Sequence, residues 1–449
     1  MLTNVLLTLF TICYFLHTAS RIPALGAMRF DLLLGGLILI FIFITQNEDK
    51  WRTSIETVRK LNRFLLYILL SLPLVTWPGS VIHNNFVYWI KSALFFVFVV
   101  SIVRTEKQLK WLITVFLACQ AFRIIEPLYL HVTTGYWGDI AYSHVGGAMT
   151  GLNRLSGAPH DVVNSNQLAW VIVTTVPFLC YLCWQGGKVG KILFLACVPA
   201  FIYTMLLTGS RSCLISLIIT VLAMIMLSKR RAKNFAIAAV ILVPAAIFVT
   251  GHLSSDMQTR YVSLVDSDVV GADTAQGRIN ASLRQLGSLS HNPLFGNGLG
   301  TSRETNWNIL GGSSQPSHNM FIEILQEIGI IGFIIFVLYI ISIIKSLMEA
   351  KRLLEDKGVG SNDWLYRLIS ATLVWVVMDL VYSLACFGLS SWEWYFFGGV
   401  STICLAFARE RREEVEDRVL SPPPVTLSSS GKPSPFLNTS VQGASKSIL

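Results

Sequence analysis

Apolar residues recur along the chain in runs of roughly 17 to 25, separated by shorter polar stretches. A helix needs about 20 such residues to cross about 30 Å of hydrocarbon, and inside lipid the backbone is satisfied only in helices or closed barrels. The pattern therefore predicts an all-α, polytopic membrane protein with about 12 transmembrane helices. The predicted spans cover residues 3–19, 30–46, 64–77, 85–103, 109–131, 167–185, 192–208, 213–228, 234–250, 319–344, 366–385 and 392–408.

Two connections between spans are much longer than the others and are rich in Gly, Ser, Asn and aromatic residues. Loops of this length in a compact protein are usually functional or disordered. The end of the chain is rich in Ser and Pro and cannot bury enough apolar surface to fold alone. The predicted regions are N-terminal helices in 1–131, a loop in 132–166, helices in 167–250, a large loop in 251–318, C-terminal helices in 319–408 and a mostly disordered tail in 409–449.

Composition and charge agree with a membrane protein of defined orientation. Hydrophobic residues make up 53% of the chain and charged residues 14%, whereas about a quarter of a soluble chain is charged. Lys and Arg concentrate after the second, fourth, sixth, eighth and tenth spans, and such residues are retained in the cytoplasm. Both termini are therefore predicted to be cytoplasmic and both long loops periplasmic, although Arg21 and Arg29 run against the rule. The net charge of +9 follows from this topology, so no nucleic-acid partner is predicted.

The sequence offers little support for a metal or a cofactor. The eight cysteines lie in or at the edges of predicted spans, and none forms a loop cluster with metal-ligand spacing. Asp266 and Asp268, in the large loop, have the spacing with which metal-dependent glycosyltransferases hold a divalent cation. Two acids in a solvated loop are common, so we predict no metal and no cofactor.

The string Ser317-His318-Asn319 stands where the large loop becomes a membrane helix. Its position predicts that His318 lies in the first helical turn, where the partial positive charge of the helix lowers the imidazole pKa and keeps the ring neutral. A neutral histidine on the outer side is a candidate general base. The alternative is a polar residue that only caps the helix at the membrane boundary.

Arginines on the predicted outer side are unexpected, because external loops are usually poor in them. Arg211 lies in the tight turn between the seventh and eighth spans, Arg278 and Arg303 in the large loop, and Arg154 in the other external loop. Guanidinium groups bind phosphate through two parallel hydrogen bonds, so these residues are candidates for holding a lipid diphosphate. Ion pairs with aspartates of the large loop are the alternative.

Ionisable residues also occur inside predicted spans, where they are costly and usually line a polar cavity. They are Arg123, Glu126, Glu323, Glu327 and Asp379. Such groups are also compatible with a membrane transporter that relays protons or binds solute. The transporter is the main alternative that is not an enzyme.

The segment from 154 to 332 resembles the O-antigen ligase and polymerase superfamily. The hallmark of that superfamily is His followed by Asn, Ser or Gln, then nine residues, then Gly-x-x-Gly, where a large periplasmic loop ends. His318, Asn319, Gly329 and Gly332 match this pattern. Further resemblance covers Thr208-Gly-Ser-Arg-Ser212, Gly277-Arg278, Asn292-Pro-Leu-Phe-Gly296-Asn-Gly298 and Arg154-Leu-Ser-Gly157.

This resemblance implies a metal-independent glycosyltransferase in the bacterial inner membrane. It would move a glycan from undecaprenyl diphosphate to a hydroxyl of the lipid A core, or, in the polymerase branch, to another lipid-linked repeat unit. The sugar and the oligomeric state are not specified. Carried over to this chain, the resemblance implies His318 as catalytic base and Arg211 and Arg278 as diphosphate ligands. The other predicted site residues are Arg154, Arg303, Asn319 and Glu327 as substrate-binding or supporting residues, and Gly329 and Gly332 as helix-packing residues.

Overall fold

A computed structural model describes residues 2–45, 54–138, 142–145, 148–161, 163–228, 231–232, 251, 254–262, 273–311, 317–386 and 388–420. Most of these residues are helical, which confirms the predicted all-α class. The one described sheet is an antiparallel hairpin of β1 (Tyr142–Val145) and β2 (Ala148–Asn153) in the first long loop. The predicted span 234–250, the acid pair Asp266 and Asp268 and the tail beyond 420 lie outside the described residues.

The described helices follow one another with short connections over most of the chain. They are α1 (Leu2–Phe15), α2 (Thr18–Arg21), α3 (Pro23–Ala27), α4 (Phe30–Ile44), α5 (Glu56–Ser71), α6 (Pro78–Ser80), α7 (Phe86–Ile102), α8 (Glu106–Thr134), α9 (Ser165–Phe178), α10 (Lys188–Thr208), α11 (Arg211–Met226), α12 (Ser255–Val262), α13 (Asp273–Leu286), α14 (Ser302–Asn308), α15 (Met320–Glu355), α16 (Trp364–Tyr382) and α17 (Glu393–Leu420). π-helical turns at Val81–Asn85 and Leu179–Cys183 adjoin α7 and α9, and short 3₁₀ helices lie at Leu72–Leu74 and Gly287–Ser290.

Within the described residues, 6 helices are long and apolar enough to cross a membrane. They comprise Pro78–Ile102, Glu106–Thr134, Ser165–Cys183, Lys188–Leu207, Met320–Glu355 and Trp364–Tyr382. α1, α4 and α11 are apolar but shorter, and α5 has an amphipathic sequence with several charges. The chain is therefore a multi-pass membrane protein, while the number of twelve spans and the orientation of the termini stay predictions.

Close helix packing around α17 depends on aromatic rings and on small residues. Phe116 of α8 lies 5.0 Å from Phe396, and Phe178 of α9 stacks on Phe397 at 5.2 Å between ring centroids. At Gly398 a Cβ atom would overlap the hydroxyl of Tyr339 from α15. Lipid tails are as apolar as these side chains, so tight van der Waals contact stabilises such interfaces. Small residues at the contact allow the helices to approach.

α15 is broken at Gly329, which has φ 67° and ψ −174°. The amide of Ile330 donates to the carbonyl of Pro293 at 2.9 Å, so a loop segment replaces the missing helical partner. A Cβ atom at Gly329 would overlap the carbonyl of Leu294, which explains why glycine is needed there. Gly332 packs against Tyr67 of α5. The predicted pair of packing glycines thus includes one that interrupts the helix.

The described chain forms one compact unit over Met1–Arg409. The remaining residues, Glu410–Leu449, form a second unit, in which the described part is the end of α17. All the candidate site residues lie in the first unit.

Candidate functional site

A cavity of about 300 Å³ lies among the ends of several helices. His318 and Arg278 both line it, so the structure brings together two of the residues that the sequence analysis selected. α16, α17 and the segment between them supply much of the remaining wall, including Asp379, Tyr382 and Trp392. The cavity therefore combines cationic, polar and aromatic side chains.

The sequence predicts that His318 lies in the first turn of α15, but in the structure His318 precedes the helix. Asn319 is the N-cap, and its side-chain oxygen accepts hydrogen bonds from the amides of Phe321 and Ile322 at 3.0 and 3.2 Å. The neighbouring Ser317 is buried and donates to the side-chain oxygen of Gln285 at 2.9 Å. These contacts on either side fix the backbone that carries His318.

Burial lowers the pKa of His318 to about 4, and the positive charge of Arg278 acts in the same direction. The expected neutral ring is therefore found, but its causes are desolvation and a neighbouring guanidinium rather than a position inside the helix. A neutral imidazole can accept a proton from a hydroxyl group.

Arg278 lies on α13, which also carries Gln285. The two residues are seven positions apart, about two helical turns, and so project from the same side of the helix. Gln285 also accepts, through its backbone carbonyl, a hydrogen bond from the side chain of Gln326 on α15 at 3.3 Å. α13 is thus joined both to the segment before α15 and to α15 itself, which sets Arg278 beside His318.

Arg211 is the first residue of α11, after a tight turn of Gly209 and Ser210. It is half-buried, and the next residue, Ser212, lines the cavity. Burial, followed by the charge of Arg211, lowers the pKa of Arg260 on α12 to about 10. Arg211 thus lies within electrostatic range of a further arginine that the sequence analysis did not select.

Arg154 and Arg260 both bind the end of α10. The Nε atom of Arg154 donates to the carbonyl of Thr208 at 2.8 Å, and that of Arg260 to the carbonyl of Gly209 at 2.7 Å. The last carbonyls of a helix lack helical partners and carry partial negative charge, which favours such cations. Burial, and then the charge of Arg260, lower the pKa of Arg154 to about 9. These two arginines hold the turn that presents Arg211, and we call the four residues Arg154, Arg211, Arg260 and Arg278 the arginine cluster.

Glu327 and Arg303 lie outside the described cavity lining. The buried carboxylate of Glu327 accepts hydrogen bonds from the amides of Gly300 and Ser302 at 2.7 and 3.3 Å. It thereby ties the start of α14 and the loop before it to α15. Arg303 is exposed on α14.

A second polar group at the cavity contains Arg123, which the sequence predicts to line a polar cavity, and two residues that no sequence pattern indicates. His17, between α1 and α2, lines the cavity, and its Nδ1 atom lies 2.6 Å from Asp161. The other carboxylate oxygen of Asp161 accepts from Nε of Arg123 on α8 at 3.0 Å. We call these residues the His17–Asp161–Arg123 group. Its members come from three distant parts of the chain, so no local motif marks them.

Among the described residues, no group of three or more His, Cys, Asp or Glu side chains is arranged to hold a metal ion. The candidate pair Asp266 and Asp268 lies outside these residues. The metal-free mechanism therefore stays a prediction.

Comparison with known proteins gives one family. The model of the family described as O-antigen ligase matches residues 195–337. This segment contains Arg211, Arg278, His318 and the Gly329 to Gly332 pair. A comparison with curated proteins gives no match. The resemblance inferred from the sequence motifs is thus confirmed over the central part of the chain.

Proposed function

We propose that this membrane protein, whose residues 195–337 match the model of the family described as O-antigen ligase, is a glycosyltransferase that moves a glycan from undecaprenyl diphosphate to an acceptor hydroxyl. The proposed acceptor is the lipid A core, and the proposed location is the periplasmic face of a bacterial inner membrane. The observation that carries the proposal is the shared cavity of His318 and Arg278. A candidate base and a candidate phosphate ligand therefore line the same cavity.

In the proposed reaction, the acceptor oxygen attacks the anomeric carbon and forms the new glycosidic bond. The bond from that carbon to the diphosphate breaks, and the leaving group keeps the electron pair. The hydroxyl proton goes to His318, and attack opposite the leaving group inverts the anomeric centre. Arg278 and Arg211 stabilise the negative charge that grows on the diphosphate oxygens. No nucleotide sugar and no metal ion take part in this mechanism.

The electrostatics of the site support binding of the donor before deprotonation of the acceptor. In the free protein, burial and Arg278 disfavour a charged His318. A bound diphosphate would bring negative charge beside Arg278 and offset its effect on the imidazole. Donor binding would then make His318 a stronger base at the moment when the acceptor must be deprotonated.

Two other functions use the same sequence features. A repeat-unit polymerase would bind a second lipid-linked glycan as acceptor, and a purified donor offered both acceptors separates it from a ligase. A transporter would use the ionisable residues of the membrane helices for protons or solute. The family match favours an enzyme of the ligase or polymerase type over this last alternative.

The catalytic proposal is tested by His318→Ala in purified protein. We expect turnover to fall by about 10²- to 10⁴-fold, the usual contribution of a general base, with donor affinity nearly unchanged. Arg278→Lys should instead weaken donor binding, because an ammonium cannot form the two-pronged bond to phosphate. The matched control is His291→Ala, since His291 is exposed in the same predicted loop. Near-normal turnover of a folded His318→Ala protein would remove His318 from the mechanism.

A further inference from the structure

The His17–Asp161–Arg123 group has the geometry of an oriented histidine. The Asp161 side chain is fully buried, with 0% exposure, whereas 34% of the His17 side chain is accessible. Burial acts to raise the pKa of Asp161, but the hydrogen bond from His17 and the charge of Arg123 outweigh it and lower that pKa. The ionised carboxylate can only accept hydrogen bonds, so the Nδ1 atom of His17 donates to it. In the neutral ring, the Nε2 atom is then the acceptor.

His17 also has an unusual backbone conformation. Its φ and ψ are 49° and 47°, in the left-handed region that residues other than glycine rarely adopt. Such a conformation persists only when its surroundings hold it, and here the ring is held on Asp161. The imidazole is thus kept in one orientation at the cavity wall by a contact 144 residues away in the chain.

The two sides of the cavity, around His318 and around His17, differ in charge. Arg278 provides positive charge beside His318, and it lies within electrostatic range of the other three members of the arginine cluster. This concentration of positive charge suits a diphosphate. In the second group, the charges of Asp161 and Arg123 oppose each other at 3.0 Å. The cavity lining also includes the acids Asp379 and Glu393, so the surroundings of His17 have no excess of positive charge. Such surroundings suit a neutral sugar rather than a phosphate.

Aromatic side chains accompany His17. Trp392 lines the cavity and packs on Phe15, at 4.7 Å between ring centroids, and Tyr14 also lines it. Rings with one apolar face and a polar edge can contact the carbon face of a sugar while polar atoms bind its hydroxyls. The cavity wall around His17 therefore combines a hydrogen-bond acceptor with aromatic side chains.

We propose that His17 contacts the acceptor glycan, its Nε2 atom accepting a hydrogen bond from a sugar hydroxyl while Asp161 and Arg123 position the ring. This assignment rests on the proposed glycosyl transfer and holds for either acceptor, a lipid A core or a second lipid-linked unit. His17 is a binding residue here, and the proton of the reacting hydroxyl still goes to His318.

The test substitutes asparagine for His17, because asparagine tolerates the left-handed backbone but is too short to keep both contacts. We expect His17→Asn to raise the KM for the acceptor by about tenfold, the loss of one hydrogen bond to a well-placed polar group. The Kd of the donor should change less than threefold. Asp161→Asn should give a smaller increase in acceptor KM, because an amide oxygen can still accept from Nδ1 without stabilising the ring by charge.

The matched control is His160→Asn. His160 also has a positive φ, 67°, and neighbours Asp161 in sequence, but it is exposed and lies outside the described cavity lining. It should leave both constants unchanged. Acceptors deoxygenated at one sugar position at a time supply a readout that folding alone would not move. At one position, removal of the hydroxyl should weaken binding to the parent protein and leave His17→Asn unaffected.

The possible results separate this inference from the proposed function. If the parent protein transfers no glycan to either acceptor, the proposed function fails and the role of His17 fails with it. If transfer occurs but His17→Asn keeps the acceptor KM of the parent, only the inference fails. A loss of donor affinity equal to that of acceptor affinity would indicate a purely structural residue and would also overturn it.

Discussion

At His318, burial and a neighbouring guanidinium act in the same direction. Both disfavour imidazolium, and together they hold the pKa at about 4. An ordinary histidine, with a pKa near 6.5, would be mostly protonated at pH 5 and unable to serve as a base. His318 in the free protein is neutral there. The environment thus keeps the imidazole of His318 neutral, the form that accepts a proton. Binding of the diphosphate substrate would then raise its pKa and make it a stronger base.

This environment predicts the pH dependence of transfer. The acid side of kcat/KM for the donor, which reports the free enzyme, should fall toward pH 4 rather than near 6.5. The acid side of kcat should lie at higher pH, because bound diphosphate offsets Arg278 and raises the pKa of His318. Rates measured from pH 4 to 8 with saturating and limiting donor give both profiles. A kcat/KM profile that falls near 6.5 would contradict the assigned environment.

At the scale of elements, the break in α15 connects the family motif to the preceding loop. Gly329 leaves the helix, and the carbonyls of residues 293 and 294 accept from the amides of Ile330 and Ile331. Two residues before Gly329, Glu327 accepts hydrogen bonds from the amides of Gly300 and Ser302, at and just before the start of α14. The Asn-Pro-Leu-Phe-Gly segment and the Gly-x-x-Gly pair, which lie more than thirty positions apart, thus form one joint.

Gly329→Ala should disrupt this joint. Alanine strains a positive φ, at a cost of about 1–3 kcal/mol, and its Cβ would overlap the carbonyl of Leu294. We expect a large fall in Tm in detergent and loss of transfer. Gly358→Ala is the matched control, since Gly358 also has a positive φ, 71°, but no atom within 4 Å of an added Cβ. Equal effects of the two substitutions on Tm and transfer would show that the overlap with the carbonyl of Leu294 does not destabilise the protein.

At the scale of the whole molecule, the helix ends bring N-terminal, central and C-terminal segments to one cavity. His17 lies between α1 and α2, Arg278 lies on α13 in the central segment, and Trp392 lies just before α17. The family match covers only the middle of these three contributions. The helices on either side therefore supply part of the cavity wall as well as the membrane anchor.

The predicted orientation is tested with single cysteines at two exposed positions on opposite sides. Ser290→Cys, in the large loop, should react with an impermeant maleimide in intact cells whose outer membrane is permeabilised. Asp356→Cys, after α15, should react only after lysis, because nearby Lys and Arg mark the cytoplasmic side. The parent protein, with its eight cysteines, sets the background. The reverse pattern of labelling would place the cavity in the cytoplasm.

A metal-free mechanism predicts that EDTA leaves transfer unchanged within twofold. His318 supplies the base and the arginine cluster the positive charge, so no cation is required. The control is a known magnesium-dependent transferase assayed in the same buffer. Loss of activity with EDTA that Mg²⁺ or Mn²⁺ restores would move the charge-stabilising role to Asp266 and Asp268.

The sequence by itself determined the helical class and the membrane environment, and it predicted His318, Arg278 and the glycine pair as candidate site residues. These features are local: hydrophobic run length follows from bilayer thickness, and the motif lies within a few turns of chain. Tertiary structure decided that Gly329 breaks its helix, that Arg154 binds α10 carbonyls, and that His17 meets Asp161 from 144 residues away. Hydrogen bonds between distant segments depend on how the helices pack in space, and no spacing along the chain records that arrangement.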